Sequence, residues 1–370
     1  MSWQEKFAMH IGPGALCGLT LGDWLRLLWD NRFAVDPPYW LRAAAVTGGS
    51  LQNSLFRLWE RWRYESAIRA TKPEPPLFVL GIWRSGTTHL HNLLACDARL
   101  AHPDFFEVFY PHTFLSTGWF NRAVLAKFLP ERRPQDNVRM RLDDPQEDEF
   151  ALNCLTQMSF VLLWTFPRRA EHYERFLTFR RASPSEIARW QAALKWFVQK
   201  LTYRHGRPLV LKSPAHTGRV KLLLEAFPEA RFVHIHRNPY DVFQSALNSA
   251  IKVAPWWTLQ RPNHQGLEER TLAQYAEIYD AYFDERDLIP SGRFHELSYE
   301  SLVADPIGQL RATYAALNLP DFAVAQPAIQ EYLASIRDYQ TNRFCQVEPP
   351  WKEAVARRWR RCFDEWGYAT

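Results

Sequence analysis

Several features that would assign a chain to a simple class are missing here. The five cysteines, Cys17, Cys96, Cys154, Cys345 and Cys362, are scattered, odd in number and nowhere spaced as CxxC. That pattern argues against a disulfide frame or a cysteine zinc site, and predicts reduced, buried thiols in a cytosolic protein. Met-Ser-Trp-Gln-Glu-Lys at the start lacks the charged and apolar regions of a secretory signal. The most apolar early stretch, Ala8 to Leu21, is short and interrupted by glycine and proline, which excludes it as a bilayer span. The expected location is therefore cytoplasmic, with no metal site. There is no internal repeat, no low-complexity segment and no long basic run. Arg132-Arg133, and Arg357-Arg358 with Arg360-Arg361, read as solvated faces. A net charge of +5 is too small and too dispersed for a nucleic-acid partner, but it suits an anionic ligand or an anionic membrane surface.

What is present is an ordinary globular balance, 47% apolar and 23% charged residues, in a chain of 370 residues. That is enough for one large α/β domain with decoration or for two smaller ones. Lys72-Pro73-Glu74-Pro75-Pro76 is a stop that helices rarely cross. It divides a helical, aromatic-rich extension over 1–75 from a domain over 76–370. In the extension, Trp24, Leu25, Leu28 and Trp29, and then Leu55, Leu58, Trp59 and Trp62, recur at helical spacing. Beyond it, short apolar runs at Leu77–Leu80, Pro208–Leu211, Arg231–His236 and Arg293–Leu297 alternate with helical stretches. This pattern predicts a parallel sheet flanked by helices. Val220–Ala226 is the predicted helix of a parallel crossover. Ser183-Pro184 with Glu186 predicts a capped helix start running on to Tyr203.

The first run leads straight into Gly81-Ile82-Trp83-Arg84-Ser85-Gly86-Thr87-Thr88, with a helix expected from His89. A strand that turns through glycine into a helix N-terminus presents free N–H groups and a positive dipole end to an anion. A nucleoside triphosphate loop would place lysine after its second glycine. Thr87 stands there instead, and Arg84 is the only cation within the loop. That arrangement suits a ligand with two anionic units. A second candidate follows Arg231–His236, where Arg237-Asn238-Pro239-Tyr240-Asp241 begins a helix that carries Ser245 eight residues on. Arg237 sits at a strand's carboxyl end, where open α/β sheets bind ligands. A guanidinium and a hydroxyl can grip a phosphate there, although an Arg237–Asp241 helix-start ion pair accounts for part of the same pattern.

Arg84-Ser85-Gly86-Thr87-Thr88 resembles the 5′-phosphosulfate loop of the sulfotransferases that use 3′-phosphoadenosine 5′-phosphosulfate (PAPS). Arg237 through Ser245 is similar to the family's 3′-phosphate motif at every specified position. Lys212-Ser213-Pro214-Ala215-His216, Tyr299 to Pro306, Tyr339-Gln340-Thr341-Asn342 and the closing Glu365-Trp366-Gly367-Tyr368 resemble segments of a bacterial-type branch. The resemblance covers roughly residues 76–370. The Arg-Lys-Gly loop of the cytosolic enzymes has no clear counterpart, Arg343 being the nearest substitute. The resemblance implies a P-loop-like α/β fold that transfers a sulfuryl group from PAPS to an acceptor hydroxyl or amine, releases PAP, and needs no metal. It also implies donor binding by Trp83, Arg84, Ser85, Gly86, Thr87, Thr88, Arg237 and Ser245, with Arg84 and Lys212 at the transferred group.

Such a transfer needs a general base. Glu107, among aromatics about 20 residues beyond the loop, is one candidate, with a carboxyl expected to be raised by desolvation. His216, beside Lys212, is the other. Asp143-Asp144-Pro145-Gln146-Glu147-Asp148-Glu149 reads as a solvated acidic loop, with an acceptor-site lining as the alternative. His89, His91 and His112 show no metal-ligand spacing. In residues 1–75, Trp3, Trp24, Trp29, Trp40, Trp59 and Trp62 interleave with arginines. This composition suits peripheral contact with the inner face of a membrane, and equally a helical cap or a homodimer face. The membrane reading makes the acceptor a lipid or other amphipathic alcohol; otherwise it is a small molecule. Two other functions remain open: a P-loop kinase of a nucleotide or sugar, disfavoured by Thr87, and a non-catalytic scaffold, disfavoured by the intact Arg84, Gly86, Arg237 and Ser245.

Overall fold

The computed structural model describes residues 9, 11–126, 140–337 and 347–370; Trp3, Arg132-Arg133, Tyr339–Asn342, Arg343 and Cys345 lie outside them. In chain order the elements used below are α1 (Leu21–Asp30), α2 (Trp40–Ala70), β1 (Leu77–Leu80), α3 (Thr87–Ala95), α4 (Phe105–Phe109), α5 (Phe114–Ala126), α6 (Pro184–His205), β2 (Val210–Lys212), α7 (Val220–Ala226), β3 (Arg231–His236), α8 (Pro239–Trp257), α9 (Leu267–Glu285), β4 (Phe294–Ser298) and α10 (Pro306–Ala316). β1, β3 and α7 coincide with the predicted runs. β2 and β4 begin later than predicted and take in Lys212 and Ser298.

The chain forms two compact units. One is Met1–Pro73, Pro103–Gly206 and Ile251–His264; the other is Glu74–His102, Arg207–Ala250 and Gln265–Thr370. One boundary between the units falls at Pro73/Glu74, within the proline cluster, and residues 103–206 group with the N-terminal helices.

In the sheet unit four parallel strands run in the order β2-β1-β3-β4. The β2-to-β3 connection therefore passes over β1 instead of joining neighbours. Every residue of β1 is buried, as a strand covered on both faces requires. Leu77 and Val79 point to one side, into a cluster with Leu90, Leu93 and Leu94 of α3 and Leu310 and Tyr314 of α10. Phe78 points to the other, stacked on Phe232 at 5.6 Å. Each fully buried side chain of this kind contributes about 1.5–3 kcal/mol.

In the helical unit, α6 starts with the predicted capping box, Ser183 and Glu186 each receiving the other's backbone N–H, and stops at Gly206 with φ 62°. The inward stripe of α2 is largely polar, and most of its groups find partners, Arg42 Nε being the exception among the described residues. Arg42 donates to Thr258 O at 2.6 Å and Asn53 to Cys17 O at 2.7 Å. Glu60 receives buried Lys200 Nζ at 2.5 Å and the Ser116 N–H at 2.7 Å. Burial depresses Lys200 to about 8. Cys17, Cys154 and Cys362 are buried free thiols, and Cys96 is half-buried. No described helix is long and apolar enough to cross a membrane.

Candidate functional site

Because all four strands are parallel, their carboxyl ends share one edge of the sheet. The Gly81–Thr87 turn, Lys212, Arg237 and Tyr299 each follow or end a strand at that edge. The turn is conformationally demanding. Gly81 has φ 137°, and a Cβ there would stand 2.5 Å from Ile235 O. Arg84 is left-handed at φ 72°, a strain of about 1–2 kcal/mol for a residue with a Cβ. Gly86, at φ 100°, is the N-cap of α3. The Ser85 hydroxyl donates to Ile82 O at 2.7 Å, and the Thr217 hydroxyl accepts the Gly81 N–H at 2.7 Å. The turn thus delivers the first N–H groups of α3, at the positive end of its dipole, to the carboxyl edge of the sheet. Thr87 is buried and Thr88 half-buried in that first turn, and Trp83 is half-buried.

The two loops meet. Arg84 Nε donates to the Ser245 hydroxyl at 2.9 Å across 161 residues of sequence. Arg237 lies with its guanidinium 4.6 Å from the Tyr299 ring centroid and donates to Asp241 at 3.3 Å. The expected helix-start ion pair is therefore present, yet Arg237 Nε is buried with no hydrogen-bond partner among the described residues. A buried orphan donor beside a helix N-terminus and a left-handed turn fits an anionic ligand.

A second layer supports this edge, and sequence reasoning did not assign it. Tyr368 donates to Glu300 at 2.8 Å and also meets His236 Nδ1 at 3.0 Å. Since a hydroxyl has one proton, His236 Nδ1 is the donor of that second bond. Glu300 in turn accepts the Asn238 N–H at 3.1 Å, and Trp366 stacks on His236 at 4.6 Å with 4° between the planes. The C-terminal Trp366-Gly367-Tyr368 segment thereby holds the backbone next to Arg237. The only sequence signal for this was the family-like closing motif. Lys212 is buried at the end of β2, in register with Val79. His216 is fully buried and meets Phe78 edge-on at 5.4 Å.

Glu107 belongs to the helical unit, where it closes the capping box of α4 with Asp104. One oxygen meets Arg204 Nε at 2.7 Å and His205 Nε2 at 2.9 Å, while the other accepts the Asp104 N–H at 3.0 Å. Burial pushes this carboxyl up, but the bond to His205, with the charges around it, outweighs burial and holds it below the usual range. The expected upward shift is thus corrected. It falls instead on Asp104, which burial and the Glu107 charge raise to about 6. The acidic stretch needs correcting too: Asp143 is exposed and paired with Arg122, but Asp148 and Glu149 are fully buried, and Glu149 accepts the Ser159 hydroxyl at 2.7 Å. Among the described residues no group of His, Cys, Asp or Glu could hold a metal ion.

Comparison with known proteins gives a consistent result. A family described as "Sulfotransferase family" matches residues 75–323. The omega-hydroxy-beta-dihydromenaquinone-9 sulfotransferase Stf3 of Mycobacterium bovis is 38% identical over 353 residues, 95% of this chain and 90% of its own length. The protein of the same name from Mycobacterium tuberculosis matches equally. Among solved structures, sulfotransferase STF9 from Mycobacterium avium superposes with a TM-score of 0.70 at 20% identity, covering 93% of this chain and 91% of that one. STF1 from Mycobacterium tuberculosis does so with 0.64 at 18% identity, covering 91% and 90%. At these identities the solved structures speak for the fold alone.

Proposed function

The chain belongs to the sulfotransferase family, and from that premise we propose that it transfers the sulfuryl group of PAPS to a hydroxyl on a menaquinone-like lipid. The reading is carried by the Arg84–Ser245 hydrogen bond, which brings the two anion-binding sequence motifs together at one sheet edge. The α3 N-terminus with Ser85, Gly86, Thr87 and Thr88 receives the 5′-phosphosulfate. Arg237 and Ser245 hold the 3′-phosphate, and Trp83 lies alongside the nucleotide. The lipid acceptor rests on the 38% identity to a sulfotransferase named for a hydroxylated menaquinone.

The acceptor oxygen attacks sulfur, the bond from sulfur to the phosphate oxygen breaks, and PAP leaves with the electron pair. Arg84 and Lys212 neutralise the charge that develops on the transferred group and the leaving oxygen. The acceptor proton goes to Glu107 or His216. Glu107 is already ionised at neutral pH but has both oxygens engaged, whereas His216 stands four residues beyond Lys212.

Incubation with PAPS and a hydroxylated quinone lipid, read by mass spectrometry, should give the sulfate ester of the lipid and an equal amount of PAP. Loss of kcat by at least 100-fold in Glu107→Gln or His216→Asn, with the KM for PAPS kept, identifies the base. ATP turnover without PAPS turnover would sink the reading.

A further inference from the structure

Helix α2 is built inside out. Its buried stripe, Arg42, Val46, Ser50, Asn53, Glu60 and Ile68, is mostly polar. Its outward stripe is apolar: Leu51 is 52% exposed, Leu55 63%, Leu58 65% and Trp62 81%. Spacings of four, three and four residues place these four on one ridge. The helices packed on α2 extend the ridge's chemistry. α1, tied to it through the Leu21 N–H and Ser54, exposes Trp29 at 73%; α5, tied through Gln52 and Asn121, exposes Trp119 at 83%. Isolated exposed apolar side chains are normal, but a continuous row with tryptophan on its neighbours is not.

The charges around the ridge choose its occupant. Arg26, Arg32, Arg61 and Arg63 are exposed along α1, α2 and their connection, with Arg69 paired to Glu65 at 2.7 Å, against Asp30 as the one exposed carboxylate between residues 21 and 70. A second copy docking by two-fold symmetry would set this patch against itself, arginines among arginines. An anionic bilayer surface answers both features. Guanidinium groups meet lipid phosphates, tryptophan rings sit at headgroup level, and leucines enter the acyl boundary.

We propose that the Leu51–Leu55–Leu58–Trp62 ridge of α2, with Trp29 and Trp119, lies in the interface of a membrane bearing anionic lipid, the helix axis parallel to the bilayer. The ridge would serve the lipid acceptor proposed above, but it stands on this surface alone. Its test needs neither donor nor acceptor, so failure here leaves the sulfuryl-transfer reading untouched.

The full chain is mixed with vesicles of phosphatidylcholine alone or with added phosphatidylglycerol, and the bound fraction is read by co-sedimentation at low and high salt. Binding at least tenfold stronger to the anionic vesicles, weakened by salt, is expected. Leu55→Glu/Leu58→Glu/Trp62→Glu should lose at least tenfold with an unchanged Tm. If that variant melts early, the single Trp62→Glu carries the test with a loss of several-fold. Absence of wild-type binding to either vesicle overturns the proposal, as does a substituted chain that melts normally and binds like wild type. So does a wild-type dimer in ultracentrifugation that the substitutions convert to monomer without any vesicle binding.

Discussion

The ring of Tyr299 fills the space in which a Gly86 side chain would stand, since a Cβ on Gly86 would come 2.3 Å from Tyr299 Cδ2. The other face of the same relationship is Arg237, whose guanidinium rests on that ring. One aromatic side chain therefore sets the height of the Gly81–Thr87 turn and the position of Arg237.

Gly86→Ala should be severe for that reason. The φ of 100° and the collision together predict a stability loss of about 1–3 kcal/mol and at least tenfold weaker PAP binding by calorimetry. Gly86→Ala with Tyr299→Leu should recover part of the stability but not the binding, because Arg237 then loses its platform.

Arg237→Lys keeps the charge while removing the planar fork and the ring contact. PAP binding should fall at least tenfold, and by more than in Ser245→Ala, which removes a single hydrogen bond worth about 1 kcal/mol. Calorimetry of both variants orders the two effects.

Tyr368→Phe removes the hydroxyl that joins His236 to Glu300 and leaves the ring in place. The Asn238 backbone then loses its fixed support. The KM for PAPS should rise several-fold with kcat nearly unchanged, and Glu300→Gln should do the same. A fall in kcat alone would mean that the C-terminal segment acts elsewhere.

The β3–β4 pair predicts a pH dependence. Burial raises Glu296, but the hydrogen bond from His234, with Tyr282 beside it, lowers it from 4.5 to about 2. A depressed carboxyl stabilises the fold above its unfolded value and loses that contribution as pH falls from 4.5 towards 2. Glu296→Gln should therefore cost about 2–3 kcal/mol at pH 7, and the gap to wild type should close through that acidic window in denaturant titrations.

Local features were readable in the sequence wherever local physics decides them. The apolar runs of β1 and β3, the Ser183–Glu186 cap and the glycine turn after β1 all follow from neighbouring residues. Long-range partners were hidden. Nothing near Glu107 announces Arg204 and His205 about a hundred positions later, so desolvation alone gave the wrong direction for its carboxyl. Tyr299 beneath Gly86 was invisible for the same reason, and for Tyr368 against His236 the closing motif was the only signal. Helix α2 shows a further limit: spacings of three and four identify a face, but not whether it turns inward. There the buried polar groups of Arg42, Asn53 and Glu60, each bonded to a different partner, took the inner side and left leucine and tryptophan outside.

We propose above that PAPS binds at the sheet edge where Arg84 meets Ser245, and that its sulfuryl group is transferred from there. Radiolabelled sulfuryl transfer from PAPS to a hydroxylated lipid tests it directly, with wild type compared against Arg84→Ala and Arg237→Lys. The predicted result is label in the lipid, matched by PAP release, and reduced at least 100-fold in both variants. Label transferred equally well by the variants, or no transfer by wild type that nonetheless binds PAP, would contradict the account.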